Sequence, residues 1–408
     1  MKIIDTETAI IGGGASGLAA AIAASRYGCG NVTIFEKMQR VGKKILSTGN
    51  GRCNLTNRNI SPADYTGDTE LLSYISPDID NAEDFFSSLG LICRADDNGR
   101  VYPYSNAATS VLDALRFAAD SSGIRTVCDF TVSEITKTKH GFIITDGETQ
   151  VKAKRVIIAA GGKAAPSLGS SGEGYELCRS LGHSVTRLFP ALAPVRTDIE
   201  LVKSLKGLRV AADATLISGG RGIDRQLGEV QFTDGALSGI CIFNLSAKAA
   251  EYINNGEISL DTAPTLSKDE LYGLIKSTAA IRASLPCEEL LTGIYHKRVG
   301  QAMLKKVGIP FSETCGEISD KDISVLCNLA KDSRYPIRNV SDWSLAQITC
   351  GGIPANEVSD KLESLKASGL YLCGEILNIQ GKCGGYNLDW AWKSGYTAGM
   401  NASLSLSE

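Results

Sequence analysis

The chain has 408 residues, 43% hydrophobic and 21% charged, with 42 Lys and Arg against 45 Asp and Glu for a net charge of −3. That length exceeds one ordinary core, so two or three domains are expected, and the composition excludes a disordered or fibrous chain. Its basic residues are scattered without long runs, which gives no electrostatic footprint for nucleic acid.

The twelve cysteines include no Cys-x-x-Cys pair and read as reduced thiols of a cytoplasmic protein. The start, MKIIDTETAIIGGG, runs into a strand without the layout of a signal peptide, and three glycines interrupt the apolar stretch 9–24, so no membrane span is expected. No metal site is expected either.

Residues 7–37 read as strand, glycine turn, helix, turn, strand. The first strand is the short run Ala9–Ile11. The helix is almost pure alanine from Ala19 to Ala24, with Gly28 as its C-terminal cap, and the second strand is Val32–Glu36. This is one βαβ unit with a right-handed crossover. Residues 105–122 have helical spacing, and strand-like pieces then form a meander ending in Arg155–Ala160. SSGEGYELCRSLGH, residues 170–183, is a glycine-rich loop leading into a helix.

Past residue 190 the character changes. Residues 191–262 alternate apolar and polar side chains among many glycines, as in a small antiparallel sheet or barrel, and 266–332 carry helix-type segments. SLAQITCGG and GLYLCGEILN return to strand, and GGYNLDWAWKSGYTAGMNAS opens a last helix. The reading is a discontinuous α/β domain, 1–190 and 345–408, interrupted by a β-rich insertion, 191–265 and 333–344, and a helical subdomain, 266–332.

Gly12, Gly14 and Gly17 form G-x-G-x-x-G between a strand and a helix. The first glycine allows the tight turn, the second lets backbone approach a pyrophosphate, and the third allows close helix–strand packing. The helix N-terminus adds amide donors and partial positive charge. Glu36 lies where a carboxylate would hold ribose hydroxyls, and it would repel a 2′-phosphate, which favours FAD or NAD over NADP here. At the other end, a strand runs into Gly374-Glu375, and a glycine loop leads into a helix at Tyr386. The carboxylate can hold ribityl hydroxyls, and the helix N-terminus can face the flavin pyrimidine carbonyl.

VGKKILSTGNGRCNLTN, residues 41–57, follows shortly after Glu36. Gly42, Gly49 and Gly51 are close-approach positions, with Lys44, Ser47, Arg52 and Asn54 as donors along the cofactor. Lys43, Lys44 and Arg52 are candidates to neutralise pyrophosphate or a substrate anion. Ala15, Ser16, Lys37, Cys53, Val132, Gly161, Gly384, Gly385 and Tyr386 complete the expected lining.

IIGGGASGLAAAI, GKKILSTGNGRCNLTN, GEVQFTDGALSG and LYLCGEILNIQGKCGGYNLDWAWKSG together resemble the BaiN and aminoacetone-oxidase family of NAD(P)/FAD-dependent oxidoreductases, across essentially the whole chain. The resemblance implies a glutathione-reductase-like FAD domain of Rossmann type, a β-barrel-like insertion and a small helical subdomain. By motif it implies that Gly12, Gly14, Gly17, Glu36, Glu375, Asn387 and Leu388 contact FAD. The family often has Phe-Thr-His and a downstream Ser-Gly-Pro, whereas this chain has Phe232-Thr233-Asp234 and Ser238-Gly239-Ile240, so the histidine's role does not transfer.

The flavin would carry the electrons. No second G-x-G-x-x-G appears, so NAD(P)H would visit the substrate cleft transiently, or oxygen would reoxidise the flavin. The expected reaction is hydride transfer through flavin N5 to or from a small or medium organic molecule lying between the FAD domain and the insertion. An NAD(P)H-dependent reductase of a steroid-like enone leads, with an amine oxidase as the alternative; a flavin-dependent RNA-modifying enzyme and a non-catalytic flavoprotein are the rivals. Cys53 and Cys383 are candidate redox thiols, and Tyr386 is a candidate acid. Each can instead simply pack, as Trp390 and Trp392 are expected to do. His140, His183 and His296 read as structural or surface residues.

Overall fold

Ala9, Ile10 and Ile11 are buried at 0–5% exposure on both faces of their strand, as a central parallel strand requires. In the computed structural model, which describes residues 2–407, this strand, β1, spans Lys2–Ile11, longer than its apolar core predicts. Helix α1 (Ala15–Arg26) and strand β2 (Val32–Phe35) complete the βαβ unit, with Glu36 immediately after the second strand. β1 pairs in parallel with β2 on one side and with Thr149–Ile158 on the other, and Arg125–Val127 extends the sheet beyond β2.

The long strand Thr149–Ile158 has a divided outer edge. Its first half pairs antiparallel with Gly141–Thr145, which turns back to Glu134–Thr138. Its second half pairs in parallel with Leu370–Leu372. The expected meander is therefore present, but its last strand starts six residues before Arg155 and stops two residues before Ala160, the bounds expected from sequence. The helix expected over 105–122 spans Ala108–Ser121, and the one after the 170s loop spans Glu173–Ser180.

The alanines of α1 answer to the C-terminal helix, Tyr386–Leu404. A Cβ on Gly399 would stand 2.1 Å from the Ala20 carbonyl oxygen, and one on Gly395 would stand 2.3 Å from that of Ser16. Backbones this close leave room only for small side chains on both helices. Trp392 fills the far side of the same helix, fully buried, with its ring edge-on to Phe86 at 5.0 Å.

Contacts divide the chain into two units, one running through Pro190 and resuming at Ala346, the other Ala191–Leu345. The second unit, taken by itself, holds a seven-stranded antiparallel sheet in the order Ser333–Pro336, Gly256–Asp261, Arg209–Ser218, Arg221–Phe232, Ala236–Ser238, Val195–Arg196, Asn339–Val340. It also holds helices Lys268–Ile281, Lys297–Val307 and Asp320–Lys331. Reading 191–262 as wholly strand misses the helix Ile240–Ala249. Its buried Cys241, Ile242, Leu245 and Ala249 recur at helical spacing, a pattern hidden among the surrounding glycines. No helix among the described residues is long and apolar enough to cross a membrane.

His183 follows the helix Glu173–Ser180 and is 4% exposed. Its Nδ1 lies 2.8 Å from Glu357 Oε2 and its Nε2 2.7 Å from Ser364 Oγ. The serine oxygen already accepts the Lys366 and Ala367 N–H groups, so its proton goes to Nε2 and the ring donates from Nδ1 to the carboxylate. Burial holds His183 below its ordinary value of 6.5, against the opposing pull of Glu357.

Two predictions follow from this packing. Gly399→Ala should cost about 1–3 kcal/mol in urea unfolding with an unchanged m-value, because the clash is with backbone. His183, neutral in the folded protein, takes up a proton more readily when unfolded, so stability should fall as pH drops through 6.5. Melting curves from roughly pH 7 to 5.5 should therefore slope less for His183→Asn than for the parent; equal slopes would refute the assignment.

Candidate active site

Parallel register sets three strand ends at one level. Ile11 lies beside Ile158, and Ile158 beside Leu372, while Phe35 flanks Ile11 on the other side. Past these ends the chain continues as Gly12-Gly13-Gly14, Ala159-Ala160-Gly161-Gly162, Cys373-Gly374-Glu375 and Glu36. The crevice outside such carboxyl ends is where open α/β sheets bind ligands.

The first glycine loop separates its three roles clearly. Gly12 has φ +103°, and a Cβ there would lie 2.5 Å from the Ala159 oxygen; one on Gly17 would lie 1.9 Å from the Gly12 oxygen. Gly14, in contrast, faces nothing within 4 Å. The loop is thus crowded where it packs and open at the position predicted to face a pyrophosphate. Ala15 and the buried Ser16 open α1, and no side chain caps its N-terminal amides.

Glu36 holds this loop as well as facing the site. Its Oε2 accepts the Gly13 N–H and its Oε1 the Met38 N–H, both at 2.8 Å. Two charge-assisted bonds fix the carboxylate's direction. Val132, 9% exposed, sits in the segment beyond Phe130, whose N–H binds the Glu36 carbonyl at 3.0 Å.

Gly385, φ +104°, immediately precedes the C-terminal helix; a Cβ there would lie 2.4 Å from the Thr56 oxygen, and the helix's first-turn amides also lack a side-chain cap. Four contacts stitch its approach to the 41–57 loop. Trp392 Nε1 donates to Leu55 O at 3.0 Å, Thr56 Oγ1 donates to Asp389 Oδ1 at 2.6 Å, Asn57 Nδ2 donates to Gly384 O at 3.1 Å, and Lys44 Nζ meets Glu375 Oε2 at 3.1 Å. Trp390 Nε1 donates to Gly374 O at 3.0 Å. Both tryptophans are core residues, and each also anchors a predicted cofactor loop. The buried Asn54 keeps Oδ1 without a partner among the described residues, an acceptor waiting beside Gly385.

Several predicted donors are engaged elsewhere. Lys37 Nζ holds Glu173 at 2.8 Å and also bonds Ser171. Ser47 Oγ returns to Lys44 O at 2.8 Å. Arg52 is exposed, with Nε on Gly49 O at 3.2 Å. The Asn387 side chain clamps Gly381, accepting its N–H at 2.9 Å and donating to its carbonyl at 2.8 Å, so its backbone and that of Leu388 are what the helix terminus offers. Gly42 packs at the Gly13 turn, its N–H on Gly13 O at 2.8 Å. Thr349 is an organiser that sequence reasoning misses. It donates its N–H to Glu375 Oε1 at 2.7 Å, and its hydroxyl accepts Lys163 N–H at 2.6 Å, joining the Gly161–Gly162 loop to the Gly374–Glu375 loop. Only a long-range contact marks it.

The candidate reactive groups separate. Cys53 is wholly buried, and burial pushes its thiol up to about 12. Cys383 is pushed up to about 11 by burial. Neither is poised as a thiolate. Tyr386 is raised by burial, so its phenol keeps its proton; its hydroxyl meets no hydrogen-bond partner among the described residues, while Tyr65 Oη donates to its carbonyl at 3.0 Å. Asp234, standing where the resembled family has histidine, is an exposed carboxylate held low by Lys206 at 2.8 Å and keeps no proton to give. Burial keeps the Cys53 thiol protonated and away from solvent. Iodoacetamide should therefore leave Cys53 unmodified in the native protein and alkylate it in urea, read by peptide mass; native alkylation would overturn its inert role.

A family model described as HI0933-like protein Rossmann domain matches residues 6–401. The chain is 36% identical over 402 residues to the 3-dehydro-bile acid delta(4,6)-reductase of Clostridium scindens, covering 97% of this chain and 98% of that one. It is 26% identical over 412 residues to the ribosomal RNA dihydrouridine synthase of Haemophilus influenzae, covering 98% of each. Among solved structures, the 3-ketosteroid delta1-dehydrogenase of Sterolibacterium denitrificans aligns with 98% of this chain and 100% of its own at TM-score 0.52 and 13% identity, a likeness of fold alone. With a family model and a 36% identical relative both spanning nearly its full length, the chain belongs to the HI0933-like Rossmann family.

Proposed function

We propose that this protein, an FAD-dependent oxidoreductase, reduces the activated carbon–carbon double bond of a steroid-like enone at the expense of NAD(P)H. The observation that carries the reading is the end-to-end 36% likeness to a reductase of 3-dehydro-bile acids. The site agrees with FAD: an open Gly14, an unpartnered Asn54 Oδ1, two uncapped helix N-termini and a pre-aimed Glu36 are the donors, acceptor and space that a dinucleotide with a flavin needs.

Bound FAD supplies two-electron transfer from the reduced nicotinamide to the electron-poor β-carbon of the enone. The chain's own task is to bind, orient and protonate. In this reading Gly12, Gly14 and the first turn of α1 hold the pyrophosphate, Glu36 the adenosine ribose, and Glu375 with Lys44 the ribityl side. Tyr386 gives its proton to the α-carbon and regains one from water. The sum is enone, NAD(P)H and one proton in, saturated ketone and NAD(P)⁺ out. Tyr386 suits the step because it is protonated, has no competing partner, and begins the helix beside the Gly384–Gly385 loop.

A second reading is favoured by the relatives named as ribosomal RNA dihydrouridine synthases, at 25–26% identity over 97–98% of this chain. There the double bond reduced would be a uracil C5–C6, the same chemistry on a different substrate.

Under anaerobic conditions NADH or NADPH should bleach the flavin, and a 4,6-dien-3-one steroid should restore its colour with saturable kinetics. Restoration by ribosomal RNA but not by the steroid would replace the first reading with the second. Tyr386→Phe should lower kcat for enone reduction about 100-fold while leaving bleaching by NAD(P)H unchanged. Glu36→Gln should weaken FAD binding about 10- to 100-fold, measured by flavin fluorescence, through loss of one charge-assisted acceptor.

A further inference from the structure

The short sheet that adjoins the 41–57 loop carries two arginine–tyrosine stacks. The Arg52 guanidinium lies 4.7 Å from the Tyr102 ring centre, and the Arg94 guanidinium 5.4 Å from that of Tyr104. Strands Cys93–Ala95 and Arg100–Pro103 pair with Arg94 opposite Tyr102, so these side chains leave one face of the sheet together. Pairing continues one step further, with the Tyr104 N–H on Ile92 O at 2.8 Å, which brings Tyr104 alongside.

This face is unneutralised and open. Tyr104 is 66% exposed. On the same sheet and its border, Arg100 meets Asp96 and Arg58 meets Glu83, both at 2.8 Å, yet neither Arg52 nor Arg94 has a carboxylate in ion-pair reach among the described residues. Arg94 on the exposed Tyr104 ring, with Arg52 nearby over the buried Tyr102 ring, supplies the elementary requirements of a nucleotide: a π-face for the base and positive charge without a carboxylate partner for phosphate. The location also matters. Val101 pairs with Thr56, whose carbonyl lies under Gly385, so the face is one strand away from the predicted flavin loop.

We propose that this face, centred on Tyr104 and Arg94 with Arg52 at its edge, docks the adenine-nucleotide half of the nicotinamide donor. The inference rests on the reductase reading, which needs such a donor in a chain with one dinucleotide fingerprint. The adenine stacks on the ring face that Arg94 leaves uncovered, and the phosphates lie between Arg94 and Arg52. Donor binding then occurs outside the glycine-loop crevice and does not compete with FAD.

The test uses full-length, FAD-loaded protein titrated calorimetrically with 2′,5′-ADP, a redox-silent adenine nucleotide. Arg94→Ala and Tyr104→Ala should each weaken binding about tenfold, and Arg94→Ala should flatten its salt dependence. Both variants should keep the parent flavin spectrum and photoreduction by light and EDTA. Parent-like affinity in both variants, or no binding by the parent, overturns the proposal. So does loss of ribosomal RNA binding in the double variant with 2′,5′-ADP binding intact, which would assign the face to RNA. The two readings fail separately. If the nucleotide binds through Tyr104 and Arg94 but NAD(P)H never bleaches the flavin, the site stands and the reductase reading falls. If NAD(P)H bleaches parent and variants with the same concentration dependence, the reading stands and the site falls.

Discussion

The level ending of three parallel strands is the constraint on which the candidate site depends. Hydrogen-bond register between β1, Thr149–Ile158 and Leu370–Leu372 places Ile11, Ile158 and Leu372 side by side, so three loops leave the sheet at one height. A shift of one residue in either pairing would offset the strand ends and separate the loops. The loops then interlock: Gly17 lies against the Gly12 carbonyl and Gly385 against the Thr56 carbonyl, while Gly162 lies against the side chains of Thr349 and Glu375. Gly17 and Gly385 carry no side chain because main chain already occupies the space, and Gly162 carries none because two other side chains do. What remains open, as at Gly14, is where a ligand fits.

The close contact of α1 with the C-terminal helix transmits this arrangement to the other half of the site. Gly395 and Gly399 let that helix lie on the backbone of Ser16 and Ala20, and its start therefore projects toward the same crevice as the start of α1. Trp390 and Trp392 then reach sideways to Gly374 O and Leu55 O. Two helix N-termini with unspent amide donors and a set of loops tied to indoles make a rigid frame, which is what positioning a large planar cofactor demands.

Much of this was legible in the sequence, for identifiable reasons. Gly12, Gly14, Gly17 and Glu36 belong to a local motif whose spacing encodes the turn, the approach and the strand end. The 41–57 glycines and the Gly384–Tyr386 helix start could also be read locally. What was hidden is contact between distant positions. Nothing around Lys37 announces Glu173, and nothing around Thr349 announces that it joins two loops. Cys53 illustrates the limit from the other side: an arginine neighbour in sequence argued for a reactive thiol, but Arg52 turns outward over Tyr102 while the thiol turns into the core. The helix Ile240–Ala249 was missed because its apolar spacing sits inside a stretch dominated by glycines and alternation.

The stitching of the 41–57 loop to residues 374–392 also sets an order of events during synthesis. Asn57 must wait for Gly384, Thr56 for Asp389 and Leu55 for Trp392, so their mutual contacts can form only after more than 300 further residues have been translated. The whole of Ala191–Leu345 emerges in that interval and is free to fold first. At 5–20 residues per second, the first βαβ unit stays without its partner helix for roughly 20–70 s. The alanine face of α1 is uncovered throughout that time, and a nascent chain held by chaperone or by early cofactor capture would be shielded at that face.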